Sequence, residues 1–246
     1  MSLLPSTNLN ITEERVIIGE GVTDAAFLKL LCQVRNIHGF DFQGVTGRDS
    51  FGIRLTAVKG LVGAKLKSVI LVADNDETPT DSFKIVRAQI PDGWPHPNNP
   101  LEKAIIYKGG KPDTPYIVVV MLPFPKIGAT SHGCLESMLL QSAEPTLVAQ
   151  TACLDDYCTC IGSNAWSMTA RDKMRLQCLM SASFPEDPNA GLQYSLKPDR
   201  GLIPLTHAYF NEMADLLSNF DTWMASPQTT WEDWKAARAT AALRAG

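Results

Sequence analysis

The chain has 246 residues, 45% hydrophobic and 20% charged, which is ordinary for a folded globular protein. Its 22 Lys+Arg against 26 Asp+Glu give a formal net charge of -4, which excludes a basic coat for constitutive nucleic-acid binding and leaves only a local basic groove. No run reaches the ~18 apolar residues that suggest a membrane span, and MSLLPSTNLNITEER lacks the charged start, apolar core and small-residue cleavage site of a signal peptide. The expected compartment is the cytoplasm.

Residues 1–13 read as a polar lead-in. RVIIG (15–19) is a short apolar strand ending at Glu20-Gly21, and Thr23 is placed to cap the helix that follows, with Asp24 in its first turn. Ala26, Phe27, Leu30, Leu31 and Val34 recur at helical spacing up to Gly39. FDFQGV (40–45) reads as a second strand. Asp49 or Ser50 then caps a helix that shows Phe51, Leu55, Val58 and Leu61-Val62 on one face. KSVILVA (67–73) is the clearest buried strand and runs into Asp74-Asn75-Asp76-Glu77, with Thr80 capping a helix over 81–90. Strands are also expected at 104–107 and 116–122, and a helix carrying Leu135, Met138, Leu139 and Leu140 follows Ser131-His132-Gly133.

Strand and helix alternating in this way predict an α/β fold with a mainly parallel sheet sandwiched by helices. Its near-continuous apolar strands suit a sheet covered on both faces. After about residue 145 helices dominate, at 146–161, 169–182, 207–220 and 231–243, with loops at FPEDPNAG and KPDRGLIP. The expected organisation is an α/β domain over 14–142 with a helical C-terminal region, 143–246, packed on it. Trp231 and Trp234 stand at i,i+3 and are read as indoles packed on the body.

Cys32 and Cys178 fall in apolar helical patterns and read as small core residues. Cys153, Cys158 and Cys160, with His132 and Cys134 upstream, do not form the paired spacing of a zinc site and read as free buried thiols.

Ligands of open α/β sheets bind beyond the carboxyl ends of the strands. Glu20 ends the first strand, and Asp74 and Asp76 end the third. Asp24 lies one helical turn from Glu20, and Glu136 starts the helix after the fifth strand. Carboxylates gathered on one edge repel and raise each other's pKa, and a hard divalent cation relieves this. Gly21 allows close backbone approach beside Glu20.

These residues resemble the TOPRIM domain shared by topoisomerases, primases and nucleases. VIIGEGVTDAAFLKLL matches its apolar strand ending in Glu-Gly, and VILVADNDETP matches its apolar strand ending in Asp-x-Asp. GCLESMLL is similar to a Gly-x-Leu-Glu segment of small bacterial TOPRIM proteins related to overcoming-lysogenization-defect nucleases. The resemblance implies metal-dependent phosphoryl transfer with Mg²⁺ or Mn²⁺. It makes Glu20 a metal ligand or general acid/base, has Asp74 and Asp76 hold the cation, and lets Asp24 and Glu136 complete a second position. Lys173 is the cation expected near the departing phosphate. Arg54, Lys59, Lys65 and Lys67, with no acidic residue between them, are the expected backbone-contacting strip.

Nothing in the sequence supports a topoisomerase tyrosine, a primase extension or a fused ATPase, so the expected protein is a stand-alone nuclease or nuclease subunit acting weakly on nucleic acid. A separate ATPase or self-association would supply any partner. A non-catalytic TOPRIM module and a phosphoryl-transfer fold with Asp74 as acceptor remain the alternatives.

Overall fold

The computed structural model describes residues 11–60, 66–105, 107–108, 111–112, 114–127, 131–197 and 199–245. In chain order the elements are β1 (Arg15–Gly19), α1 (Val22–Val34), β2 (Asp41–Gly44), α2 (Phe51–Lys59), β3 (Ser68–Asp74), α3 (Pro79–Ala88), β4 (Tyr107–Lys108), β5 (Lys111–Pro112) and β6 (Tyr116–Leu122). They continue with α4 (Leu135–Ala143), α5 (Val148–Cys160), α6 (Met168–Ser183), α7 (Leu192–Ser195), α8 (Asn211–Ser218), α9 (Phe220–Ala225) and α10 (Trp231–Ala245).

The main sheet has four strands in the order β2-β1-β3-β6, and every pairing is parallel. This is the expected α/β architecture, with β1 and β3 neighbours. Parallel strands need crossover helices, and those helices cover both faces, so the strands carry apolar residues on each side. All seven residues of β3 are buried. Side-chain alternation divides the core in two. Ile17, Ile70, Val72, Val118, Val120 and Leu122 face α1, α4 and the C-terminal helices. Val16, Ile18, Val69, Leu71, Ala73, Ile117, Val119 and Met121 face α2 and α3 through Phe51, Leu55, Phe83 and Val86.

The C-terminal helices therefore share one continuous core with the α1 face of the sheet. Polar ties reinforce it. Arg35 donates to the carbonyls of Leu205 and His207 at 3.1 Å each. Lys103 Nζ donates to the carbonyls of Trp223, Met224 and Ser226, satisfying the open C-terminus of α9. Trp231 and Trp234 stack with centroids 4.8 Å apart and are buried, as the i,i+3 spacing suggested.

Local departures from expectation have physical causes. The residue at the N-cap of α1 is Gly21 rather than Thr23, and that of α3 is Thr78 rather than Thr80, because Pro79 takes the first helical turn where its missing N–H costs nothing. Among the described residues of 104–107, none adds a strand to the main sheet. Ala104 makes a single antiparallel bridge to Ile117, and among the described residues β4 pairs only with β5, antiparallel. The helix expected over 207–220 breaks into a 3₁₀ turn, α8 and α9. Leu61-Val62 lie outside the described residues. Cys153 and Cys160 are exposed and only Cys158 of that cluster is buried, because α5 shows most of its circumference to solvent.

Candidate metal centre

The carboxyl ends of β1, β3 and β6 open on one edge, and the chain places its acidic residues there. Glu20 leaves β1 with its backbone N–H donating to Val72 O at 2.8 Å, which holds it beside β3. Gly44 lets the start of α1 press against β2, since a Cβ there would stand 2.6 Å from the Cα of Val22. Asp24 then folds back, and its Oδ2 accepts the Gly21 N–H at 2.7 Å. Asp74 ends β3, and its Oδ1 accepts the Leu135 N–H at 2.9 Å, an interaction of a carboxylate with the first turn of α4. Asp76 takes a left-handed backbone (φ 49°) and exchanges both main-chain hydrogen bonds with Gly133 at 2.8 and 3.0 Å. That bridge ties the loop after β3 to the loop before α4, and so brings Glu136 to the same edge.

Glu20, Asp24, Asp74 and Glu136 thus converge. The Asp74 carboxyl is pushed well above the usual carboxylate range, first by burial and then by the like charges of Asp24, Glu136 and Glu20, with Lys173 opposing. Burial also lifts Asp24 from 3.8 to about 6, against the Gly21 hydrogen bond and with Glu20 and Glu136 adding to the rise. Much of the oxygen donor capacity here is unspent. Among the described residues, nothing donates to Asp74 Oδ2, Glu20 Oε1 or either oxygen of Glu136.

Lys173, on the exposed side of α6, belongs to this constellation. Burial tends to lower its pKa, but the charges of Glu136 and Asp74 outweigh that and raise it. Its helix is pinned to the acidic loop by Glu77, whose Oε1 accepts the Thr169 N–H at 2.9 Å and whose pKa that bond lowers.

Two participants escaped the sequence reading. Arg48, in the turn between β2 and α2, reaches across the sheet edge. Its Nη2 donates to Asp76 Oδ2 at 2.6 Å and to Asp74 O at 2.9 Å, its Nη1 to Ser82 Oγ at 2.8 Å and its Nε to Glu20 Oε2 at 3.3 Å. A turn residue has no periodicity to reveal it, though its place after a strand at the carboxyl edge was a usable signal. Cys134, the N-cap of α4, is the second. Ligand atoms of Asp74, Cys134 and Glu136 lie within 4.8 Å of one another, a group that can hold a metal ion. Without a cation, burial and then the charges of Glu136 and Asp74 push the Cys134 thiol up.

Lys59 and Lys67 of the basic strip lie apart from this edge. Lys67 precedes β3 and pairs with Glu14 at 2.7 Å with both side chains exposed. β3 has seven residues, which at about 3.3 Å each separates Lys67 from Asp74 by roughly 20 Å. Lys59 ends α2 on that far side, Arg54 Nη1 makes a 3.5 Å contact with Gln43 Oε1, and Lys65 lies outside the described residues.

No described helix is long and apolar enough to cross a membrane. A scan of family models, a search of curated proteins and a search of solved structures each return no match for this chain.

Proposed function

We propose that the chain is a cytoplasmic Mg²⁺- or Mn²⁺-dependent phosphodiesterase of TOPRIM type that hydrolyses nucleic acid. The observation that carries this reading is the buried Asp74 carboxyl, crowded by Asp24, Glu20 and Glu136 while several of their oxygens accept no hydrogen bond from a described residue. Hard oxygen donors, several of them anionic and half-buried, suit Mg²⁺ or Mn²⁺. Asp74, Glu20 and Asp76 would hold the first ion, and Asp24 and Glu136 a second. Bound there, the cation supplies a water of lowered pKa and charge stabilisation for the leaving oxygen.

The protein's own groups supply the rest. Glu20 keeps Oε1 open on the cluster while Oε2 is anchored by Arg48 and by the Asp74 N–H at 3.2 Å, a geometry that lets it accept a proton from an incoming water. Lys173 offers a mobile ammonium to a phosphoryl oxygen. Arg48 orients Glu20 and Asp76 and limits their mutual repulsion. One observation favours a non-catalytic TOPRIM module instead: Asp76 is already neutralised by Arg48.

Mn²⁺ titration by calorimetry and cleavage of plasmid DNA and of RNA, with and without a candidate ATPase partner, test the proposal. Asp74→Ala/Asp76→Ala should lose both binding and cleavage while remaining folded. Unchanged Mn²⁺ affinity in that variant rejects the site, and metal binding without cleavage of any substrate favours the module.

A further inference from the structure

Next to the acidic cluster lies a cavity of opposite chemistry. It measures about 490 Å³ and opens between α3, the loop at 98–101 and the segment that follows β6. That size is within the roughly 300–1,000 Å³ of small-molecule sites. Its apolar wall includes the aromatic side chains of Phe83 and Phe124. Its cations are Lys84, Arg87 and Lys126, and among the described residues no Asp or Glu lines it.

The cations are available. Lys84 makes only an exposed pair with Asp81 at 3.1 Å, the kind that contributes little. Arg87 is held through Nε on Pro97 O at 2.7 Å, and its terminal nitrogens make no hydrogen bond to a described residue. Lys126 makes no ion pair among the described residues.

Asn75 joins this cavity to the acidic cluster. It stands between Asp74 and Asp76 and is 5% exposed. Its main chain is fixed on both sides, by Leu122 O at 2.8 Å and by the Ser82 hydroxyl at 2.8 Å. Asn75 is among the residues that line the cavity, and no described residue makes a hydrogen bond to its side-chain amide. It offers both a donor and an acceptor, the pattern that reads the edge of a base.

We propose that the cavity seats a nucleotide unit of the substrate strand, next to the phosphate held at the acidic cluster. Its base lies against Phe83 and Phe124 and meets the Asn75 amide. Its own phosphate rests on Lys84, Arg87 and Lys126. Aromatic surface with surrounding cations is the combination that holds single-stranded nucleic acid. That the seated unit belongs to the substrate strand rests on the phosphodiesterase reading of the cluster, whereas the seat itself needs only the cavity.

The test uses the full chain, a fluorescein-labelled oligothymidylate, thymidine monophosphate as competitor and EDTA to exclude metal. Lys84→Glu/Lys126→Glu changes two exposed side chains and should fold normally. Its oligonucleotide affinity should fall about tenfold or more, with a shallower salt dependence than wild type. With Mn²⁺, its hydrolysis of bis(4-nitrophenyl) phosphate, which has no nucleoside, should equal wild type. Equal oligonucleotide affinity of the two proteins, or no binding by wild type, overturns the proposal. Thymidine monophosphate binding as tightly as the oligonucleotide overturns the strand assignment. Loss of binding in the variant, with no hydrolysis of either ester by wild type, upholds the seat and sinks the phosphodiesterase reading instead.

Discussion

Arg48 Nη2 stands 2.6 Å from Asp76 Oδ2, across 28 residues of sequence, and the same guanidinium reaches Glu20. The acidic edge is thus held together by a cation that belongs to neither acidic motif. With the Arg48 side chain 15% exposed, its loss leaves Glu20, Asp74 and Asp76 facing one another across a partly dry gap. Removing one partner of a buried pair costs ~3–5 kcal/mol. Asp76, at 37% exposed, keeps some hydration, so Arg48→Ala should cost about 2 kcal/mol in urea unfolding without metal. Millimolar Mg²⁺ should return part of that loss. An unfolding midpoint unmoved by the substitution would show that the pair contributes nothing.

Asp24 gives the metal-free protein a distinct pH response. Its pKa is about 6 folded against an ordinary 3.8, with burial the main cause. A raised carboxyl pKa means the folded state holds the proton more tightly, so this contribution is complete below 3.8 and is lost as pH rises through about 6. Asp74, also raised, acts in the same direction. The melting temperature in EDTA should therefore fall between pH 4 and pH 7. Asp24→Asn keeps an acceptor for the Gly21 N–H and should flatten the fall, with a gain on the order of 2 kcal/mol at pH 8. A melting curve with the same pH slope in wild type and variant would contradict the assignment.

The parts of this molecule that periodicity governs were legible in its sequence. β1 and β3 announce themselves as apolar runs because both their faces are covered, and their ends place Glu20 and Asp74 on one edge through strand adjacency alone. Asp24 and Glu136 followed from their first-turn positions. What was not legible depends on contacts between distant segments. Arg48 meets Asp76 only because the turn after β2 folds over β1 toward β3. Cys134 meets Asp74 because Asp76 and Gly133 bridge. The strip at Arg54, Lys59 and Lys67 looked continuous because sequence does not show that α2 runs away from the acidic edge.

Lys173 separates binding from chemistry. The charges of Glu136 and Asp74 act on its ammonium, so it competes with a cation for the same carboxylates. Lys173→Met should tighten Mn²⁺ binding by a few-fold and lower the cleavage rate by about 10²-fold, the scale of losing one donor to a developing charge. Calorimetry and single-turnover cleavage measure the two effects. Weaker Mn²⁺ binding in Lys173→Met would mean that the lysine orders the carboxylates rather than serving the phosphate.

Glu20 is where the proposed chemistry is most exposed to refutation. Its Oε2 is committed to Arg48 and the Asp74 N–H, and its Oε1 accepts no hydrogen bond from a described residue. Glu20→Gln preserves size and can still accept both hydrogen bonds, so the edge should stay folded, with less like charge on Asp74 and Asp24. It removes the negative charge that binds a cation and the basicity that takes a proton. General-base contributions run to about 10²–10⁴-fold, and the loss of a metal ligand adds to that, so cleavage should fall by at least about 10³-fold. Glu136→Gln, which touches only the second cation position, should cost less. Plasmid nicking in Mn²⁺ by matched preparations gives the comparison. Cleavage retained in Glu20→Gln would place the activity outside this edge, and a larger loss in Glu136→Gln than in Glu20→Gln would centre the metal on the Asp74, Cys134 and Glu136 group instead.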